Sequence, residues 1–439
     1  MIEQNYRPIV ELVPQVQSYD WGKLGKDGSK VAEYSKHSSS FKYDPDKPYA
    51  ELWMGTHPSL PSRLIDQNRL LFDHISHNPQ KILGQNVLER YGSDLPFLLK
   101  VLAIGKALSI QAHPDKTLAE KLHKEKPEIY KDPNHKPEMA IAITPFSGFC
   151  GFRPMNEISK FLGTVPEFSD LVGDQLSKQF TQSIPHQSNE PSIISSAAEK
   201  NLIGIAKNKG LLRDVFSALM NAPKDKVSEQ VQKLVKRIKS DGGSDRAFGT
   251  IEELILRLNE QFPDDVGIFC AFVLNVVHLS PGEAAFLKAD EPHAYLTGDI
   301  IECMASSDNV VRAGLTPKLR DVPTLVEMLT YSYGPAASQL MKPVQFKDCK
   351  HTTLYDPPIE EFSVILTDLP NEGDSEEHPL INGPSILITT EGIGDVTVRD
   401  HVLPIQHPGQ IFFVSAGENV KITNGSKNKL VGYRAFIEV

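Results

Sequence analysis

The sequence has little cysteine, no long apolar run and no excess of positive charge. Its four cysteines, Cys150, Cys270, Cys303 and Cys349, form no Cys-x-x-Cys pair. We therefore expect neither a disulfide framework nor a thiolate zinc site. No apolar run approaches the roughly 20 residues that span a bilayer. The formal net charge of −10 argues against nucleic acid or an anionic membrane surface as the main partner.

The first residues also lack the basic region and apolar core of a secretory signal peptide. Together with the cysteine spacing, which fits a reducing compartment, this predicts a cytoplasmic protein. Hydrophobic residues make up 40% of the 439-residue chain, which is ordinary for a globular protein. A chain of this length predicts two or three domains.

The pattern of the chain changes from β to α and back. Short apolar runs such as LPFLLKVLAI and EMAIAIT, bounded by Pro, Gly and Asp, predict strands early in the chain. Helical spacing follows, for example in GLLRDVFSALM, and strand-like runs then return. We predict a mainly β fold with an α-helical insertion. The predicted segments are a first β domain in two parts, residues 1–153 and 265–340, a helical insertion, residues 154–264, and a second β domain, residues 341–439.

A polar pair stands out in the strand-like segment LSIQAHPDK. Gln111 and His113 share one face, because side chains at i and i+2 of a strand point the same way. Glu138 opens the apolar run EMAIAIT, a costly place for an unpaired carboxylate, and His293 follows a proline. These four nitrogen and oxygen groups suit Zn²⁺ or another divalent transition metal. Ordinary packed histidines are the alternative, since glutamine is an uncommon zinc ligand.

A weak internal repeat indicates whether the second β domain should also have a metal site. PGEAAFLKADEPHAY begins at Pro281 and PGQIFFVSAGENVKI begins at Pro408. Aligned without gaps, His293 falls opposite Val420, so we expect the second β domain to bind no metal. Because Pro-Gly before an apolar strand is a common turn sequence, a chance match is the alternative.

Several cations lie close to the four candidate ligands in the sequence. One interpretation is that these are solvated surface residues, as most lysines are. The alternative is that they form a local positive pocket for a phosphate, with Ser109 as a hydroxyl donor. Arg312 follows a β-like run and precedes a turn, so it could project from a strand end into a cavity. The cations are Lys100, Lys106, Lys116, Lys136, Arg312 and Lys318.

Longer motifs follow one another along nearly the whole chain. They are QSYDWGK, KPYAELWMGTHP, LPFLLKVLAIGKALSIQAHPDK, DPNHKPEMAIAITPFSGFCGFRP and EPHAYLTGDIIECMASSDNVVRAGLTPK, followed by the β-rich tail. In this order, and with the helical insertion in the same place, the chain resembles the type I phosphomannose isomerases of eukaryotes. The resemblance implies two cupin-type jelly rolls with a helical domain inserted in the first.

The resemblance also implies roles for individual residues. One Zn²⁺ per chain would be held by Gln111, His113, Glu138 and His293. Catalytic roles fall to Arg312, Lys136 and Glu302, and substrate-binding roles to Ser109, Lys100, Lys318 and Tyr295, with Lys318 and Ser109 at the phosphate end.

The implied reaction interconverts D-mannose 6-phosphate and D-fructose 6-phosphate through a cis-enediolate and feeds mannose into GDP-mannose and glycosylation. A metal would polarise the sugar oxygens and Arg312 would stabilise the enediolate. Lys136 could serve as the proton-transfer base, with Glu302 and His135 as alternatives. The partner is then a small sugar phosphate, and we expect a monomer.

Two other functions fit parts of the pattern. A non-catalytic sugar-phosphate sensor could use the same pocket, and it would tolerate loss of Arg312 or of the metal ligands. An Fe²⁺ cupin oxygenase fits less well, because that chemistry usually uses two histidines and one carboxylate with open positions.

Overall fold

The computed structural model describes residues 6–38, 41–66, 69–184, 198–242 and 247–439. Its strands up to the helical insertion are β1 (Ile9–Val13), β2 (Gln15–Gln17), β3 (Lys23–Leu24), β4 (Pro48–Tyr49), β5 (Glu51–Met54), β6 (Arg63–Leu64), β7 (Phe97–Ile104), β8 (Ile110–Ala112), β9 (Glu138–Ala142) and β10 (Phe146–Phe152). The strands after it are β11 (Leu274–Leu279), β12 (Ala284–Leu287), β13 (His293–Ala305), β14 (Val311–Gly314), β15 (Leu340–Met341), β16 (Val344–Gln345), β17 (Thr352–Tyr355), β18 (Ser363–Leu369), β19 (Ser375–Ile381), β20 (Ser385–Glu391), β21 (Gly394–Val398), β22 (His401–Ile405), β23 (Ile411–Val414), β24 (Glu418–Asn424) and β25 (Leu430–Phe436).

The helices concentrate between β10 and β11. Those before β10 are α1 (Lys30–Ser35), α2 (Leu71–His77), α3 (Pro79–Leu83), α4 (Gln85–Tyr91) and α5 (Lys116–Glu125). Those after it are α6 (Met155–Thr164), α7 (Pro166–Val172), α8 (Asp174–Ser183), α9 (Ala198–Met220), α10 (Lys224–Gly242) and α11 (Ile251–Gln261), with α12 (Val322–Met328) after β14. In the described residues, no helix combines the length and the apolarity needed to cross a bilayer.

An eleven-stranded sheet is built from strands on both sides of the helical insertion. Strand β13 lies at its centre and pairs with β7, β9, β8 and β10. Since β8, β9 and β13 each begin with or contain a candidate metal ligand, this sheet brings together residues that are far apart in sequence.

The C-terminal strands form a sandwich of an eight-stranded and a four-stranded sheet. One face of the eight-stranded sheet packs on the eleven-stranded sheet, in a core that joins Ile301 and Val101 to Ile386 and Phe413. The opposite face packs on the four-stranded sheet. Strand β1 lies in the eight-stranded sheet, where Ile9 faces Val414, although the sequence division assigns residues 1–153 to the first β domain.

The helical insertion is amphipathic, as its spacing predicts. The periodic positions of α9 are fully buried, in one core with the inward side of strand β8. The expectation of a mainly β chain with a helical insertion is confirmed, and the sheets are consistent with two cupin-type jelly rolls. The buried α9 positions are Leu212, Val215, Phe216 and Leu219.

Candidate active site

Two histidines and one glutamate converge inside the eleven-stranded sheet. The Nε2 atom of His113 lies 3.3 Å from one carboxylate oxygen of Glu138, and that of His293 lies 3.6 Å from the other. The ligand atoms of all three lie within 4.8 Å of one another. Each side chain is no more than 2% exposed, so bulk water does not solvate the cluster.

The hydrogen bonds fix the tautomers of both rings. The Nδ1 of His113 lies 2.7 Å from the carbonyl oxygen of Asn309, and that of His293 lies 3.0 Å from the carbonyl oxygen of Glu291. Because a carbonyl only accepts, each Nδ1 carries the proton and each Nε2 presents a lone pair. Neither Nε2 has a hydrogen-bond partner in the part of the chain that the structure describes.

Lone pairs from three side chains therefore face one another without a proton between them. Burial lowers the pKa of His113 to about 4, against the opposing effect of Glu138, so its ring is neutral near pH 7. An arrangement of two imidazole nitrogens and a carboxylate fits a divalent cation, and Zn²⁺ takes this set of donors.

Gln111 lies beside this cluster. On β8, Gln111 pairs with His293 of the neighbouring strand β13 on one side and with Arg312 of β14 on the other. The neighbouring Ile110 and Ala112 are fully buried against the core of the helical insertion, so the alternation turns Gln111 to the opposite side.

A cavity of about 820 Å³ opens next to the cluster. The end of the helical insertion forms part of its wall, through Gln261, Phe262 and Pro263. His113 and His293 lie behind this surface, whereas the other residues predicted for the site line it. Those residues are Lys100, Ser109, Gln111, Lys136, Glu138, Tyr295, Glu302, Arg312 and Lys318.

The cations of the cavity differ in whether a carboxylate already neutralises them. Lys100 lies 3.1 Å from Glu302, and Lys136 lies 3.4 Å from Glu138. Among the described residues, no carboxylate lies within ion-pair distance of Arg312 or of Lys318. Arg312 is half-buried and Lys318 is exposed, so one unpaired cation lies inside the cavity and the other at its mouth.

A buried acid cluster surrounds Lys100. Its ammonium also lies 3.8 Å from Glu51 and 4.8 Å from the ring centre of Trp53. Burial alone would lower the pKa of Lys100, but Glu302 and Glu51 raise it above its ordinary value. Burial raises the pKa of Glu302, and Glu138 adds to the rise while Lys100 opposes it.

Sequence reasoning did not single out Glu51, Trp53 or Asn309. The signal that identified Glu138, a carboxylate within an apolar strand, is also present at Glu51 in YAELWM. Asn309 acts through its backbone carbonyl, which no side-chain pattern reveals.

Two predicted residues have contacts that refine their roles. The hydroxyl of Tyr295 donates to Glu138 over 3.2 Å, so Tyr295 orients a candidate ligand as well as lining the cavity. His135, an alternative base, instead bonds through Nε2 to Glu361 at 2.6 Å and does not line the cavity.

The bond between His135 and Glu361 ties the loop of Lys136 to the C-terminal sandwich. Glu361 is only 8% exposed, and residues 134–137 form no regular structure, so this bond adds to the hydrogen bonds of Asn134 in restraining the segment. We expect Glu361→Ala to lower kcat/KM by about 10-fold, the cost of losing a supporting contact. Glu361→Gln should retain most of the activity because its amide oxygen still accepts.

Steady-state kinetics with thermal unfolding would check this prediction. The matched control is Glu360→Ala, since Glu360 is exposed and pairs with Arg90 at the surface. Full activity in Glu361→Ala would show that the loop holds its position without this bond.

Comparisons with known proteins agree along the whole chain. Three family models match: phosphomannose isomerase type I catalytic domain over residues 9–155, helical insertion domain over 171–274 and C-terminal domain over 353–401. A mannose-6-phosphate isomerase of Cryptococcus neoformans is 47% identical over 435 residues, which cover 98% of this chain and 99% of that protein.

Solved structures give the same result. A phosphomannose isomerase from Salmonella typhimurium with one arginine replaced by alanine is 31% identical, with a TM-score of 0.80 over 99% of this chain and 100% of the other. A mannose 6-phosphate isomerase bound with zinc and yttrium is also 31% identical, with a TM-score of 0.79 and the same coverage. The chain belongs to the type I phosphomannose isomerase family.

Proposed function

We propose that this protein interconverts D-mannose 6-phosphate and D-fructose 6-phosphate with one zinc ion per chain. The observation that carries the proposal is the convergence of three lone-pair donors beside a cavity with two unpaired cations. Two similarities support it: full-length relatives are mannose-6-phosphate isomerases, and one solved relative binds zinc.

The protein's own residues account for substrate binding. Lys318 at the mouth of the cavity, with Ser109 directly before β8, would bind the phosphate. A phosphate is doubly charged and strongly hydrated, so a partly exposed cation costs less to pair with it than a buried one. The sugar then extends inward toward Glu138 and Arg312.

Isomerisation requires ring opening, removal of the C2 proton and its return at C1. Zinc bound by His113, Glu138, His293 and Gln111 would supply Lewis-acid polarisation of the sugar oxygens. Arg312 would stabilise the negative charge of the cis-enediolate, because its guanidinium has no internal counter-ion. Lys136 and Glu302 are the candidates for proton transfer, and the raised pKa of Glu302 favours it as a group that both takes and returns a proton.

The other expectations from the sequence stay proposals. We propose the four-segment division of the chain, except that β1 belongs to the sheet of the C-terminal sandwich, together with a metal-free C-terminal β domain, a monomer and a cytoplasmic location. The free state of the four cysteines is consistent with the last of these. A supply of mannose 6-phosphate for GDP-mannose and glycosylation follows from the reaction.

Exchange of the C2 proton tests the proposal against a non-catalytic sensor. Mannose 6-phosphate would be incubated with the metal-loaded protein in D₂O and followed by NMR, with metal content measured on the same sample. We expect deuterium at the transferred position, formation of fructose 6-phosphate and close to one zinc per chain. Tight binding without exchange or product would establish the sensor instead.

A further inference from the structure

A buried arginine lies between the two sheets of the C-terminal sandwich. Arg434, on β25 of the eight-stranded sheet, is 1% exposed. Its Nε donates to the hydroxyl of Ser385 over 2.8 Å, and one terminal nitrogen lies 3.4 Å from the Nδ1 of His378 on the four-stranded sheet. The arginine therefore bridges the sheets through polar contacts within an otherwise apolar core.

The histidine partner cannot balance the charge of Arg434. Because a guanidinium only donates, the Nδ1 of His378 accepts and its Nε2 carries the proton. That Nε2 lies 2.8 Å from the hydroxyl of Thr367. Burial, reinforced by Arg434, lowers the pKa of His378 well below its ordinary value, so the ring is neutral.

No carboxylate offsets the positive charge either. Within the described part of the chain, Arg434 takes part in no ion pair, and burial is the single cause of the lowering of its pKa to about 9. A buried charge without a counter-ion is strongly unfavourable. In addition, none of the described residues provides a hydrogen-bond acceptor for its second terminal nitrogen, Nη2.

Donors thus outnumber acceptors around Arg434. The protons of Nη2 have no acceptor among the described residues, and the hydroxyls of Ser385 and Thr367 each already accept one hydrogen bond, from Arg434 and His378 respectively. Water at this place would satisfy hydrogen bonds but would leave the charge uncompensated. An anion would satisfy both, and the burial of Arg434 limits it to a small inorganic ion.

We propose that the C-terminal sandwich binds one halide-sized anion, such as chloride, against the Nη2 of Arg434. Hydrogen-bond donors without acceptors would bind an anion here, whereas in the cluster around Glu138 electron-pair donors converge where a cation would bind. The bound anion would stabilise the sandwich, and it is independent of the isomerase reaction.

Thermal unfolding of the full-length protein provides the first test. Protein dialysed into sodium gluconate, whose anion is too large for the core, would be compared with protein in sodium chloride at equal ionic strength. We expect chloride to raise Tm by about 2–4 °C in the wild type and to have no such effect in Arg434→Met. The control Arg213→Met, which removes an exposed arginine of α9, should keep the chloride response.

Crystals grown in bromide provide the second test and do not depend on a variant. We expect an anomalous peak within contact distance of the Nη2 of Arg434. A water molecule there without an anomalous signal would overturn the proposal. The same conclusion would follow if Arg434→Met kept the full chloride response, since the ion would then act elsewhere, for example at the cations of the active-site cavity.

Discussion

Replacing His293 with alanine is expected to abolish stable zinc binding and to lower kcat/KM for mannose 6-phosphate by at least about 100-fold. Loss of even a supporting contact to a metal ligand costs 10- to 100-fold, and this change removes a ligand itself. It also leaves one oxygen of Glu138 without the neighbouring ring at 3.6 Å. The remaining donors would be His113, Glu138 and Gln111, and because a glutamine amide is an uncommon zinc ligand, this set would hold the ion weakly.

Metal analysis and kinetics on one preparation would check this. His401→Ala is the matched control, because His401 is exposed on β22 of the C-terminal sandwich and lies outside the cavity. Gln111→Ala tests the unusual fourth ligand in the same way. Normal turnover in a His293→Ala protein that holds no metal would refute the Lewis-acid part of the mechanism.

The local part of the site could be predicted from the sequence. A period of two predicts that Gln111 and His113 share one face, and in the structure Gln111 lies in β8 and His113 directly follows that strand. The register of His293 opposite Gln111, by contrast, is set by the pairing of β13 with four other strands. No local pattern fixes such pairing, and here the family resemblance supplied the information that the residues alone left open.

The same limit explains what the sequence did not reveal. Strand β1 joins the C-terminal sheet because its apolar face completes a core shared by residues more than 400 positions apart, as in the pairing of Ile9 with Val414. The bonds of His135 to Glu361 and of Arg434 to His378 also cross the fold. The sequence alone does not show whether a titratable side chain is solvated, paired or buried.

Replacing Arg312 with lysine is expected to lower kcat by about 100- to 1,000-fold, the usual cost of removing one donor aimed at a developing oxyanion. Among the residues that the structure describes, no carboxylate neutralises Arg312 inside the cavity, whereas Lys100 and Lys136 each lie close to one. Burial lowers the pKa of Arg312, because the guanidinium is partly dehydrated in this position. The same partial dehydration strengthens its electrostatic interaction with a nearby negative charge. Lysine keeps the charge but loses the planar, forked set of donors.

The pattern of kinetic change separates this role from a structural one. Because Arg312 would act mainly on charge that develops in the transition state, kcat should fall much more than KM rises, with zinc content and Tm unchanged. Arg213→Lys, on the exposed side of α9, is the matched control and should behave as the wild type. A variant at Arg312 that loses zinc in proportion to its activity would instead show that this arginine maintains the metal site from its position opposite Gln111 on the neighbouring strand, and the enediolate would then need another source of stabilisation.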